Sequence, residues 1–199
     1  MQTVNFTRME DGTREEYEFL DRMEHEFIAG LPERIIDSMR KLEHSISGYR
    51  ISRLEHSLQG ATRAFRADES EEMIIAVLLH DIGDELAPHS HSEMAAAILR
   101  PFVSERLYWI IKHHGIFQMY YYAHHCGGDR NTREMFRDHA WYQDAIDFCH
   151  NYDQNCFDPD YDSEPLEFFE PILRRVMSRP RFNDVEHVAR YGDQGSSEA

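Results

Sequence analysis

Apolar residues along this chain recur every three or four positions and nowhere sustain a period of two, which predicts helices and no sheet. Tyr17, Leu20, Met23 and Phe27 form a first stripe, widened by Phe19 and Ile28. Thr13 and Glu16 stand ahead of it at capping-box spacing, and Gly30 stops it. Pro32 suits the first turn of a second helix, whose buried stripe is Ile35, Ile36, Met39, Leu42 and Ile46, up to Gly48. Ile51, Leu54, Leu58, Ala61 and Phe65 share a third face, with His56 to one side. A helix over 70–82, with Asp68 as its cap, is apolar at every position from Ile74 to Leu79 and so is expected to be buried all round. A short helix at 91–99 follows Ser90, its Ala95, Ala96 and Ala97 permitting close approach, and Pro101 ends it. The next starts at Ser104 and reaches His113-His114-Gly115. Gly127-Gly128 marks a turn, Asn131 to Glu134 allows another helix start, and stretches at 139–149 and 166–177 complete the set. The expected fold is all-α, roughly eight helices with short loops in one domain over 1–199, between a loose arm at 1–13 and a polar tail at 180–199.

Composition narrows the partners. A formal charge of -16 argues against a nucleic-acid surface, which needs clustered Lys and Arg. A bound pair of metal ions would reverse that sign locally. Cys126, Cys149 and Cys156 are odd in number and lack metal spacing, so they read as reduced thiols. No signal peptide opens the sequence and the longest apolar run is too short to span a bilayer; the expectation is a cytoplasmic protein without a membrane partner.

Thirteen histidines are many, and several end apolar helices. His80 and Asp81 close the most apolar stretch. Neighbours on a helix point about 100° apart and share no face, yet a carboxylate using both oxygens can serve two ions. The plainer reading is a helix C-terminus with Asp81 and Gly83 in a turn. His56, His91, His114 and Asp153 sit at comparable places on other segments. A pair of cations wants imidazoles, a bridging carboxylate and further ligands to balance charge, and Asp81 is the natural bridge. Imidazoles also need acceptors that fix their tautomer, for which Glu55 and Asp84 are near in sequence. The tetrapeptide LEHS occurs at 42–45 and again at 54–57; His44 reads as structural or surface.

Taken together, His56, His80-Asp81, His91, His114 and Asp153 resemble the six-ligand pattern of the HD-domain superfamily. The text ISRLEHSLQGA at 51–61, LLHDIGD at 78–84, HSEMAAAILRPF at 91–102 and SERLYWIIKHH at 104–114 resembles the small HD-domain oxygenases that cleave the carbon–phosphorus bond of 1-hydroxyalkylphosphonates. The resemblance covers residues 51–155, the expected metal-binding core of an HD-domain helical bundle. It implies two irons in the mixed-valence Fe2+/Fe3+ state, one held by His56, His80 and Asp153, the other by His91 and His114, with Asp81 bridging. It implies a small organophosphonate and O2 as reactants. His113 precedes His114, so a slip of one residue would exchange ligand and neighbour. Where relatives carry a lysine that meets the phosphonate this chain has Gln118, which leaves the charge to the irons or to Arg130 or Arg133. Tyr49 stands where the family places either an iron-capping tyrosine or a substrate-recognising glutamate.

Phe117, Tyr120, Tyr121, Tyr122, Trp141 and Tyr152 form an aromatic belt that reads mostly as core. An aromatic box nevertheless suits a quaternary ammonium. With the resemblance, this favours an N-trimethylated 1-hydroxy-2-aminoethylphosphonate, giving glycine betaine and phosphate. The unmethylated analogue, giving glycine, is the next reading. A metal-dependent phosphohydrolase uses the same ligands and stays open.

Overall fold

The computed structural model describes residues 2–180. Within them the chain forms eight α-helices, joined by turns and short 3-10 segments, with no strand: α1 (Arg14–Ala29), α2 (Leu31–Lys41), α3 (Arg53–Arg66), α4 (Glu71–Leu79), α5 (His91–Leu99), α6 (Glu105–Tyr122), α7 (Tyr142–Tyr152) and α8 (Leu166–Met177). The all-α expectation holds. Apart from residue 180, the tail expected at 180–199 lies outside the described residues. Among those residues no helix is long and apolar enough to cross a membrane.

α4 is the centre of the bundle. Every residue from Met73 to Leu79 is buried, as the unbroken apolar run requires, and α3, α5, α6 and α8 pack around it. Its cap is Ser70, whose hydroxyl accepts from the Met73 amide at 3.2 Å. The expected cap, Asp68, has φ of +58° instead; a helix cap needs extended backbone, which Ser70 supplies. Thr13 and Glu16 do form the capping box of α1, and Ser52 with Glu55 forms a second one on α3.

Two stretches depart from the pattern. α1 has no buried residue: α2 packs against it, and Met23, Phe27 and Ile28 stay 40%, 63% and 49% exposed. The Arg34 guanidinium lies 3.8 Å over the Phe27 ring and covers part of it. α2 stops at Lys41, so Ile46 leaves the buried stripe and is exposed.

α6 does not end at Gly115 but runs on to Tyr122. Gly115 is a point of close approach, since a Cβ there would lie 2.9 Å from Ser92 Oγ at the start of α5. Gly83, in the turn after α4, is tighter still: its Cβ would meet the His91 carbonyl oxygen at 2.6 Å. Both glycines let the first turn of α5 close on α4 and α6. The stretch at 131–136 is a 3-10 turn, and the helix expected at 139–149 begins three residues later, at Tyr142.

Candidate metal centre

Five segments converge on one cluster of side chains. His56 comes from the first turn of α3, His80 from the C-cap of α4, and Asp81 from the turn that follows. His91 opens α5, His114 lies within α6, and Asp153 is the C-cap of α7. His56, His80, Asp81, His114 and Asp153 are all buried; the His91 side chain keeps 28% exposure. Five buried polar side chains in one place call for partners.

The Asp81 carboxylate stands between two pairs of imidazoles. Its Oδ2 is 3.5 Å from His56 Nε2 and 3.3 Å from His80 Nε2. Its Oδ1 is 3.5 Å from His91 Nε2 and 3.4 Å from His114 Nε2. Asp153 Oδ1 joins the first pair, at 3.5 Å from His56 Nε2 and 3.9 Å from His80 Nε2. Three groups of three side chains each bring ligand atoms within 4.8 Å of one another: His56, His80 and Asp81; Asp81, His91 and His114; and His80, His114 and Asp153.

The backbone fixes which nitrogen faces inward. His56 Nδ1 donates to the Cys156 carbonyl at 2.9 Å, His80 Nδ1 to the Val77 carbonyl and His114 Nδ1 to the Ile111 carbonyl, both at 2.7 Å. A carbonyl oxygen only accepts, so Nδ1 carries the proton and, in each neutral ring, Nε2 presents its lone pair. That is how a metal-ligating histidine is held. His56 Nε2 and His80 Nε2 then face each other at 3.2 Å with no proton to share in the neutral state. Lone pairs so placed beside two carboxylates fit a cation between them.

The charges of the metal-free chain point the same way. Burial pushes the His80 imidazolium down, but Asp81 and Asp153 outweigh it and lift its pKa to about 9. Burial pushes Asp81 up, yet His80, His114 and Arg53 hold it well below the usual carboxylate range. Asp153 is lowered despite its burial by its hydrogen bond to His56 and by His80. Protons therefore occupy part of a site whose donor set of imidazoles and carboxylates suits borderline divalent or trivalent metals.

Near-misses are resolved by direction. His113 turns away, its Nδ1 donating to the Trp109 carbonyl at 2.8 Å and its ring packing on the Trp109 indole, so His114 is the one in the cluster. Glu55 serves the α3 capping box, where its Oε2 accepts from the Ser52 amide, and is no acceptor for the cluster. Asp84 Oδ1 is 3.7 Å from His91 Nδ1. His44, in the first copy of LEHS, is exposed on a 3-10 turn.

A cavity of about 260 Å³ opens over the cluster, lined among others by Asp81, His91, His114 and Asp153. Tyr49 and Gln118 line it as well. Gln118 Nε2 donates to Asp153 Oδ1 at 2.9 Å, and its Oε1 is buried without a partner. Tyr49 stacks on Phe157 at 5.0 Å, and Phe157 on His56 at 4.4 Å. Of the aromatic belt, Tyr121 and Tyr122 reach the cavity. Phe117 is core, Trp141 packs near Trp109 and His139, and the Tyr152 hydroxyl donates to Glu69. Arg130 and Arg133 lie over the Tyr120 ring at 4.1 and 3.6 Å and are not among the lining residues. The arginine that lines the cavity is Arg53, which the sequence reading missed. Its spacing three residues before His56 on the same helix was the available signal.

An all-helical bundle whose buried HD pair gathers histidines and a second aspartate defines an HD-domain protein. The HD domain family matches residues 53–152, which is 100 of the chain's 199 residues, and the chain belongs to that family, with a cluster of side chains that could hold metal ions. Over 100 residues it is 30% identical to the [1-hydroxy-2-(trimethylamino)ethyl]phosphonate dioxygenase (glycine-betaine-forming) of Leisingera caerulea. That alignment takes in 45% of this chain and 48% of the relative, so the chain spans about half the length of the curated protein it matches.

Proposed function

We propose that this protein is a mixed-valence di-iron oxygenase that cleaves the carbon–phosphorus bond of a 1-hydroxy-2-aminoethylphosphonate, in its N-trimethylated form, to glycine betaine and phosphate. The observation that carries the reading is the division of Asp81, one oxygen toward His56 and His80 and the other toward His91 and His114. The similarity to a phosphonate dioxygenase supports the reaction class. The reaction balances without an external reductant: the C1–H and C1–P bonds break, O2 takes the four electrons released, and its two oxygen atoms are accounted for in the new carboxylate and phosphate.

His56, His80 and Asp153 would hold one iron, His91 and His114 the other, and Asp81 both. When bound, such a pair supplies one-electron chemistry toward O2 and Lewis-acid contacts for an oxyanion. The protein surroundings differ on the two sides. His56 and His80 are sealed from solvent, whereas His91 is partly exposed and, with His114, lines the cavity. Reactants would therefore approach from the His91 and His114 side, where the protein offers fewer ligands. Gln118 holds Asp153 in place through its amide. Tyr121 and Tyr122 give the cavity an aromatic wall suited to a trimethylammonium group, which needs π faces and has no N–H to donate.

The deciding experiment is aerobic and anaerobic incubation of iron-reconstituted protein with the trimethylated and unmethylated 1-hydroxyphosphonates, reading phosphate. Oxygen-dependent phosphate release with glycine betaine formed is the expected result. Equal release without O2, or release from phosphomonoesters alone, would replace this reading with a phosphohydrolase.

A further inference from the structure

We infer that Arg53 is the residue that recognises the anionic end of the substrate, and that metal loading frees it to do so. This rests on the reading above only in that a phosphonate enters the cavity. Among the described residues lining that cavity, Arg53 is the sole Lys or Arg. Its side chain is 16% exposed, so its charge acts in a poorly solvated setting where an ion pair counts for more than at a surface.

In the metal-free chain this guanidinium is engaged by protein carboxylates. Arg53 Nε lies 2.8 Å from Asp84 Oδ2, and Nη1 lies 3.3 Å from Asp81 Oδ2. The second contact uses the same Asp81 oxygen that faces His56 and His80. A cation held there and the guanidinium are like charges with a claim on one oxygen, and the di- or trivalent ion is the stronger claimant. Loading would therefore weaken the Nη1 contact with Asp81, while the Nε ion pair with Asp84, close but not aligned as a hydrogen bond, keeps the side chain at the cavity wall. The terminal nitrogens are then available for an oxyanion, which a planar guanidinium grips through paired N–H donors. Tyr49 supports the arrangement, with Arg53 Cζ 5.1 Å over its ring and Phe157 stacked on it.

Charge balance favours the same occupant. Asp81, Asp84 and Asp153 against Arg53 make the protein side chains net negative, and two metal ions turn the excess positive. A phosphonate dianion beside both the ions and Arg53 offsets most of that excess. Arg130 and Arg133, committed to the Tyr120 ring, do not line this cavity.

The test uses zinc, which excludes redox turnover, and methylphosphonate, which has neither the hydroxyl nor the ammonium of the proposed substrate. Calorimetric binding to the zinc-loaded protein is compared among wild type, Arg53→Gln and Arg53→Lys, with zinc content measured for each. Arg53→Gln should load as much zinc as wild type and bind methylphosphonate about tenfold to a hundredfold more weakly, the range of a charge-assisted hydrogen bond. Arg53→Lys should recover part of the loss. Equal methylphosphonate affinity in Arg53→Gln and wild type would overturn the inference. So would a fall in zinc stoichiometry in Arg53→Gln, which would make Arg53 a support for Asp81 and Asp84, or no binding to the wild type at all. The oxygenase reading is checked separately by phosphate release from the iron-loaded wild type, and its failure leaves the anion result standing.

Discussion

Asp81→Ala removes the group on which both halves of the cluster depend. Two divalent ions about 3.5–4 Å apart repel by about 18 kcal/mol at an effective dielectric constant near 20. A shared carboxylate would offset much of that, because Asp81 turns one oxygen toward each pair of imidazoles. Asp81 is the one side chain in the cluster placed within 3.5 Å of all four imidazole Nε2 atoms. Alanine leaves His56, His80 and Asp153 on one side and only His91 and His114 on the other, with nothing to screen one ion from its neighbour. The variant should bind at most one ion, and that one at least a hundredfold more weakly than wild type, since a ligand contact is lost outright where loss of a mere outer partner already costs 10–100-fold. The assay is titration of chelator-stripped protein with zinc against a competing chelator, with metal content by elemental analysis. Circular dichroism checks that the helices persist. Asp81→Asn, which keeps the shape and loses the charge, should fall between. Two ions retained at wild-type affinity in Asp81→Ala would refute the shared-carboxylate arrangement.

Three further outcomes follow from the same geometry. The folded metal-free chain holds a proton on His80 up to a pKa of about 9, above the ordinary 6.5. That proton stabilises the metal-free fold fully below pH 6.5, and the contribution disappears as pH rises through 9, so thermal denaturation should show the metal-free midpoint falling over this window. Zinc has to displace the same proton, so its apparent affinity should rise with pH toward 9, and calorimetry in buffers of different ionisation enthalpy should register proton release. Gly83→Ala places a Cβ 2.6 Å from the His91 carbonyl oxygen and should push α5 outward, destabilising the fold by about 1–3 kcal/mol and reducing metal content from two ions toward one. Gln118→Leu deletes the amide that holds Asp153 and should lower zinc affinity about 10–100-fold, with the same chelator competition as the readout; an unchanged affinity would remove Gln118 from that role.

Much of the scaffold is legible in the sequence because its signals are local. The apolar run from Ile74 to Leu79 announces a helix buried all round, and the Thr13–Glu16 spacing announces a capping box; neither depends on a distant residue. The two LEHS copies show where local reading stops. His44 is exposed on a 3-10 turn and His56 is buried in the cluster, although the residues beside them are the same. Asp68 and Ile46 failed as cap and core residue because each was decided by backbone geometry or packing at that point, which composition does not encode.

The sequence by itself determined an all-helical chain, the segments that bring imidazole and carboxylate, and the residue types that could bind metal. Tertiary structure alone decided which groups meet and how they point. It ties His56 Nδ1 to a carbonyl 100 residues away, aims Gln118 at Asp153, turns His113 aside, and puts Arg53 rather than Arg130 or Arg133 at the cavity wall. The reason is physical: helix periodicity fixes the face on which a side chain lies, but its partner across the bundle depends on how α3, α4, α5, α6 and α7 pack, and that is set by contacts between residues far apart in the chain.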